Sequence, residues 1–229
     1  MKPEPESELD KAEADLWRKF EAGELDVDAC AEAQRELEEN MPVSEGEISQ
    51  ENTAMLKRRD SFRRVAEMAA GGFSKLAFVE KVLLFGSVAA PPYKEVPRFR
   101  RLRRARVEIY HECKDVDLAV WVSDLTQLRA LKKVVSDATN VFNQLICQQE
   151  NLPGVAHHQM DVFLFEPGTN RYRGHLCTYG QCPKGKPECR VSGCGTQPFL
   201  QLYEDFEINP RVFAERPCAV LFERQPETP

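Results

Sequence analysis

Apolar positions recur at helical spacing through residues 1–72. Leu9, Leu16, Trp17 and Phe20 form one stripe behind an acidic first turn after Ser7, and the stripe ends near Gly23. A second helical stretch runs from Val27 to Glu39 and stops before Pro42. Ser44-Glu45-Gly46-Glu47 has the S-x-x-E form in which the two side chains satisfy each other's backbone N–H groups at a helix start. It opens a long helix whose stripe is Met55, Phe62, Val65 and Ala69, closed by Gly71-Gly72.

From Lys81 the pattern changes. Lys81 to Phe85 is a short apolar run that ends in Gly86-Ser87, which suits a buried strand entering a turn. Val116 to Val122 (VDLAVWV) and Met160 to Phe165 (MDVFLF) read the same way, the latter broken by Pro167-Gly168, and Cys218 to Phe222 suits a last strand. Between them, Asp124 caps a predicted helix over 125–147 with Leu128, Leu131, Val135, Phe142 and Leu145 facing inward. Strands interleaved with helices predict a mixed α/β (α+β) fold, a mixed sheet with packed helices. The expected organisation is an acidic helical N-terminal region (1–72), a core (73–170) with an arginine-rich insert (91–112), and a Cys-rich C-terminal region (171–229).

Three features of the core carry candidate chemistry. Phe85-Gly86-Ser87 delivers a glycine and a hydroxyl at a strand end. Asp115 and Asp117 stand two apart at a strand start, so they project to one face. Asp161 lies within an apolar strand, where a carboxylate needs a partner or a metal. Carboxylates held close together repel unless a cation sits between them, and oxygen ligands of this kind suit Mg²⁺ with substrate phosphates completing its shell. If a neighbouring strand brings Asp161 alongside, the three acids make a two-metal site for an in-line displacement. Gly86 lets backbone approach a phosphate, and Ser87 can donate a hydrogen bond to it.

The order strand-Gly-Ser, then Asp-x-Asp at a strand start, then a lone Asp in a later strand resembles the DNA polymerase β-type nucleotidyltransferase superfamily, with the small minimal nucleotidyltransferases as nearest match. The resemblance covers roughly residues 80–166 and implies a nucleotidyltransferase-like fold. It implies that Gly86 and Ser87 hold a triphosphate, that Asp115 and Asp117 ligate two Mg²⁺ ions, and that Asp161 helps ligate the ion that activates the nucleophile. The activity implied is transfer of a nucleoside monophosphate from a nucleoside triphosphate such as ATP to an acceptor: RNA, a protein or a small molecule. The chain departs from that pattern in two places: Ser87 and Asp115 are 28 positions apart, and Ala89-Ala90-Pro91-Pro92 stands where a second glycine is usual.

The insert holds six arginines in nine positions: Arg98, Arg100, Arg101, Arg103, Arg104 and Arg106. A short helix burying Phe99 and Leu102 would splay them outward toward triphosphate, RNA or another polyanion, or toward the chain's own acidic segment. Residues 1–52 carry 17 acidic and 5 basic side chains, whereas 53–229 carry 20 acidic and 26 basic. Further on, Cys177, Cys182, Cys189 and Cys194 fall within 18 residues, and four thiolates in such a loop suit a structural Zn²⁺; His175 replacing one thiolate, an iron–sulfur cluster and disulfides are the alternatives.

Composition narrows the setting. No run of 18 apolar residues is present, which predicts no membrane span, and the acidic start MKPEPESELD lacks the apolar segment of a secretory signal. The expectation is a cytoplasmic chain with reduced thiols. Two functions are compatible with these features: a metal-dependent nucleotidyltransferase, or a transferase-like module without activity that binds nucleic acid or a protein.

Overall fold

The computed structural model describes residues 8–40, 43–98, 100–177, 199–201, 206–209 and 211–225. In its first part lie α1 (Glu8–Glu21), α2 (Val27–Asn40), α3 (Glu45–Phe73), β1 (Val79–Phe85), β2 (Lys94–Glu95), α4 (Arg100–Arg104), β3 (Ile109–Tyr110) and β4 (Val116–Val122). After these come α5 (Leu128–Val141), α6 (Cys147–Gln149), β5 (Met160–Phe165), β6 (Arg171–Leu176), β7 (Leu200–Gln201), β8 (Phe206–Glu207), α7 (Arg211–Glu215) and β9 (Ala219–Glu223). They form two compact units, one of residues 1–53 and 93–111, the other of 54–92 and 112–229.

The first unit is built on helix contacts. α1 packs on α2 and buries Leu16 and Cys30, while Trp17 stays half exposed with its ring edge-on to Phe20 at 5.9 Å. The expected capping box is formed: Glu47 Oε2 accepts from Ser44 N at 2.9 Å, and Ser44 Oγ accepts from Glu47 N at 3.2 Å. The β2–β3 hairpin brackets α4 and is tied down where Tyr110 N donates to Asn52 Oδ1 at 2.8 Å.

The second unit is a mixed sheet with helices packed on it. Among the described residues the strand order is β7-β6-β5-β4-β1-β9, with β8 also on β6; β4 and β5 run parallel and the other pairs antiparallel. Alternate residues sort to the two faces. Val82, Leu84, Val116, Leu118, Val120, Val162 and Leu164 join Phe62, Val65, Ala69 and Phe73 of α3 and Leu128, Leu131 and Phe142 in the main core. Leu83, Ala119, Trp121, Phe165 and Tyr172 look the other way and pack with Phe85, Phe163 and Phe213. A strand buried on both faces reads as a near-continuous apolar run, which is why VDLAVWV shows little alternation.

Two expectations need correcting. β1 begins at Val79, two residues before the apolar run suggested. The helix expected over 125–147 is a 3₁₀ turn (Leu125–Gln127), then α5, then a π turn over Phe142–Ile146. A π turn inserts an extra residue per turn and rotates the side chains beyond it, so Leu145, expected inward, is 55% exposed while Phe142 stays buried. No helix among the described residues is long and apolar enough to cross a membrane.

Candidate functional site

The acids expected to act together come from one end of the sheet. β1 and β4 run antiparallel with Phe85 opposite Asp117, so the Gly86 turn leaves the sheet beside Asp117. β4 and β5 run parallel with Asp117 opposite Asp161. The period-2 alternation turns both carboxylates to the face that carries Ala119, Trp121, Phe163 and Phe165. Asp115 precedes β4 and remains exposed at the rim. Its segment is held by Gln159, whose Nε2 donates to Lys114 O at 3.1 Å while its Oε1 accepts from Ala156 N at 2.9 Å. Asn143 adds a second clamp: its Nδ2 donates to Val155 O at 2.8 Å, and its Oδ1 accepts from Val155 N at 2.9 Å, fixing the approach to β5.

The acids feel one another. Burial, then the charges of Asp161 and Asp115, push Asp117 up from 3.8 to about 6, with His175 acting against them. Partial burial and then the Asp161 charge raise Asp115, while His158, Lys114 and Arg58 oppose the rise. Burial leads both shifts, and the neighbouring carboxylates add to it.

Gly86 fits tightly against this cluster. Its φ is +75°, in the left-handed region, and a Cβ there would strike Oδ2 of Asp117. Beside Ser87, burial pushes the Cys113 thiol up, and the Ser87 hydroxyl, then Arg59 and Arg58, partly offset it. Arg59 Nη2 donates to Ala90 O at 2.6 Å in the turn after Ser87, and its Nε is buried with no hydrogen-bond partner among the described residues. Arg58 pairs with Glu112 at 3.0 Å.

Sequence reasoning missed Arg58, Arg59, Cys113 and the contact of His175 with Asp161. The first two lie in α3, some 30 to 60 residues from what they touch, and carry no local signal. The sequence offers His175 only as an alternative zinc ligand. Its Nε2 lies 3.0 Å from Asp161 Oδ1 and its Nδ1 3.2 Å from Gln201 Oε1, so both ring nitrogens are engaged elsewhere.

Of the expected zinc ligands, Cys177 is buried in the main core, with its backbone N donating to Phe199 O at 2.7 Å and its carbonyl accepting from Lys132 Nζ. Cys182, Cys189 and Cys194 lie outside the described residues. The described cysteines, Cys30, Cys113, Cys147, Cys177 and Cys218, are all free thiols. Arg98, Arg103, Arg104 and Arg106 are exposed in the first unit; the side chains of Arg100 and Arg101, and all of Phe99, lie outside the described residues.

Asp115, Asp117 and Asp161 match a hard divalent cation in donor type and charge. In this structure, though, no group of three or more His, Cys, Asp and Glu side chains among the described residues is arranged to hold a metal ion. One oxygen of Asp161 is turned to His175. No protein-family model, curated protein or solved structure matches the chain.

Proposed function

We propose that the chain is a divalent-metal-dependent nucleotidyltransferase that moves a nucleoside monophosphate from a nucleoside triphosphate to a hydroxyl-bearing acceptor. The observation that carries the reading is the register Phe85-Asp117-Asp161, which sets a glycine turn and two acids side by side at one end of the sheet. Asp115, Asp117 and Asp161 would hold Mg²⁺, which supplies charge neutralisation for the triphosphate and lowers the acceptor hydroxyl's pKa. Gly86 opens space for phosphate where any side chain would meet Asp117. The Ser87 hydroxyl would donate to a phosphate oxygen. In the reaction the acceptor oxygen forms a bond to the α-phosphorus, the bond to the β-phosphate bridging oxygen breaks, and pyrophosphate leaves with that electron pair. The acceptor's proton passes to solvent.

A second reading, a binding module without turnover, draws on the arginine segment, whose exposed Arg98, Arg103, Arg104 and Arg106 suit a polyanion such as RNA. Calorimetric titration of each of the four NTPs, with and without Mg²⁺, separates the two. The transferase reading expects Mg²⁺-dependent binding that Asp117→Asn abolishes. RNA binding that persists in Asp117→Asn, with no NTP binding by the wild type, favours the module.

A further inference from the structure

The geometry points to His175 as a positioning residue that holds one oxygen of Asp161 so that the other is presented to a divalent cation. The inference rests on the reading of Asp161 as a cation ligand and adds a component that the acids alone do not supply.

His175 sits on β6 between two strands that fix it from both sides. It pairs in register with Phe163 on β5 and with Gln201 on β7, and its side chain is 8% exposed. The Phe163 ring packs against the imidazole with centroids 5.1 Å apart. A carboxylate oxygen can only accept, so the 3.0 Å contact to Asp161 Oδ1 requires the proton on Nε2. Gln201 serves Nδ1 in either orientation of its amide: the oxygen accepts from Nδ1, or the turned amide nitrogen donates to it. Gln201, His175 and Asp161 thus form one hydrogen-bonded chain across three strands, ending at the acid that lies opposite Asp117.

A buried histidine with two partners is by itself ordinary. What sets this one apart is where its bond ends. Asp161 is half-buried opposite Asp117 in the register, where two like charges repel and a carboxylate without a fixed partner is free to turn. A fixed N–H donor on one oxygen removes that freedom and sets the direction of the other. Hydrogen-bonded partners of metal ligands act in this way, and their removal weakens metal binding by roughly 10–100-fold.

Mn²⁺ binding to the full chain, followed by the EPR signal of the free ion, needs neither nucleotide nor acceptor. The wild type is expected to bind Mn²⁺ and Asp161→Asn to lose it. His175→Ala should weaken it roughly 10–100-fold. His175→Gln, whose amide N–H can donate from a similar position, should recover much of the loss, and Gln201→Leu should cost a smaller factor. Melting curves confirm that each variant is folded; if His175→Ala is not, His175→Gln and Gln201→Leu carry the comparison. Folded His175 and Gln201 variants that bind Mn²⁺ like the wild type overturn the inference and leave the acidic site standing. A wild type that binds no Mn²⁺ overturns both.

Discussion

The two faces of the sheet are made from the same strands by alternate residues, and they do opposite things. Val116, Leu118 and Val120 point into the helix-covered core, while Asp117, Ala119 and Trp121, interleaved with them, point the other way. The first face is apolar from end to end. The second is aromatic along most of its length and acidic at one end, where Asp117 is driven up to about 6 by burial and its neighbours. Both faces bury apolar side chains, but the second also holds like charges together, at a cost in stability. That division is common at functional sites, where strain or repulsion persists only because the surroundings impose it.

Substitution at adjacent positions breaks the comparison most sharply. Leu118→Ala removes a fully buried side chain and should cost about 3 kcal/mol in urea unfolding, with metal-dependent nucleotide binding retained by the folded fraction. Asp117→Asn should do the reverse, abolishing that binding without loss of stability. If both variants lose stability alike, the second face is merely more core.

A smaller effect separates backbone strain from crowding at the site. Gly86 and Gly168 both adopt positive φ, +75° and +67°, but a Cβ at Gly168 meets nothing within 4 Å whereas one at Gly86 meets Asp117. Gly168→Ala should therefore cost only the conformational term, about 1 kcal/mol. Gly86→Ala should cost more and also weaken Mg²⁺-dependent NTP binding at least ~10-fold by displacing Asp117. Equal effects on binding from both variants would contradict a phosphate-side role for Gly86.

Much of this was legible in the chain. β4 and β5 match the runs VDLAVWV and MDVFLF to the residue, because strands buried on both faces leave uninterrupted apolar blocks. The same-face placement of Asp117 and Asp161 needed one further fact, their register, which no local pattern encodes. β6 (RYRGHL) escaped notice because its arginines and Gly174 mask the buried Tyr172, His175 and Leu176, and with it went the link from His175 to Asp161. Arg58 and Arg59 could not be read for a related reason. They sit on a long helix full of charge, and only folding brings Glu112 and Ala90 to them. The π turn that exposes Leu145 is likewise a matter of helix geometry that side-chain spacing does not reveal.

Thermal unfolding of the wild type and Asp117→Asn, at pH 7.5 and pH 5 with and without Mg²⁺, tests the central claim most directly. An acid raised from 3.8 to about 6 contributes stability that is full below pH 3.8 and is lost as pH rises through 6. At pH 7.5 without metal, Asp117→Asn should thus be the more stable chain, by about 1–2 kcal/mol once solvent screening is allowed for, with the gap narrowing at pH 5. Mg²⁺ should raise the wild-type melting temperature at pH 7.5, less at pH 5, and leave the variant unmoved. A variant that melts below the wild type at both pH values, with Mg²⁺ shifting the two alike, would contradict the account of Asp115, Asp117 and Asp161 as a cation site.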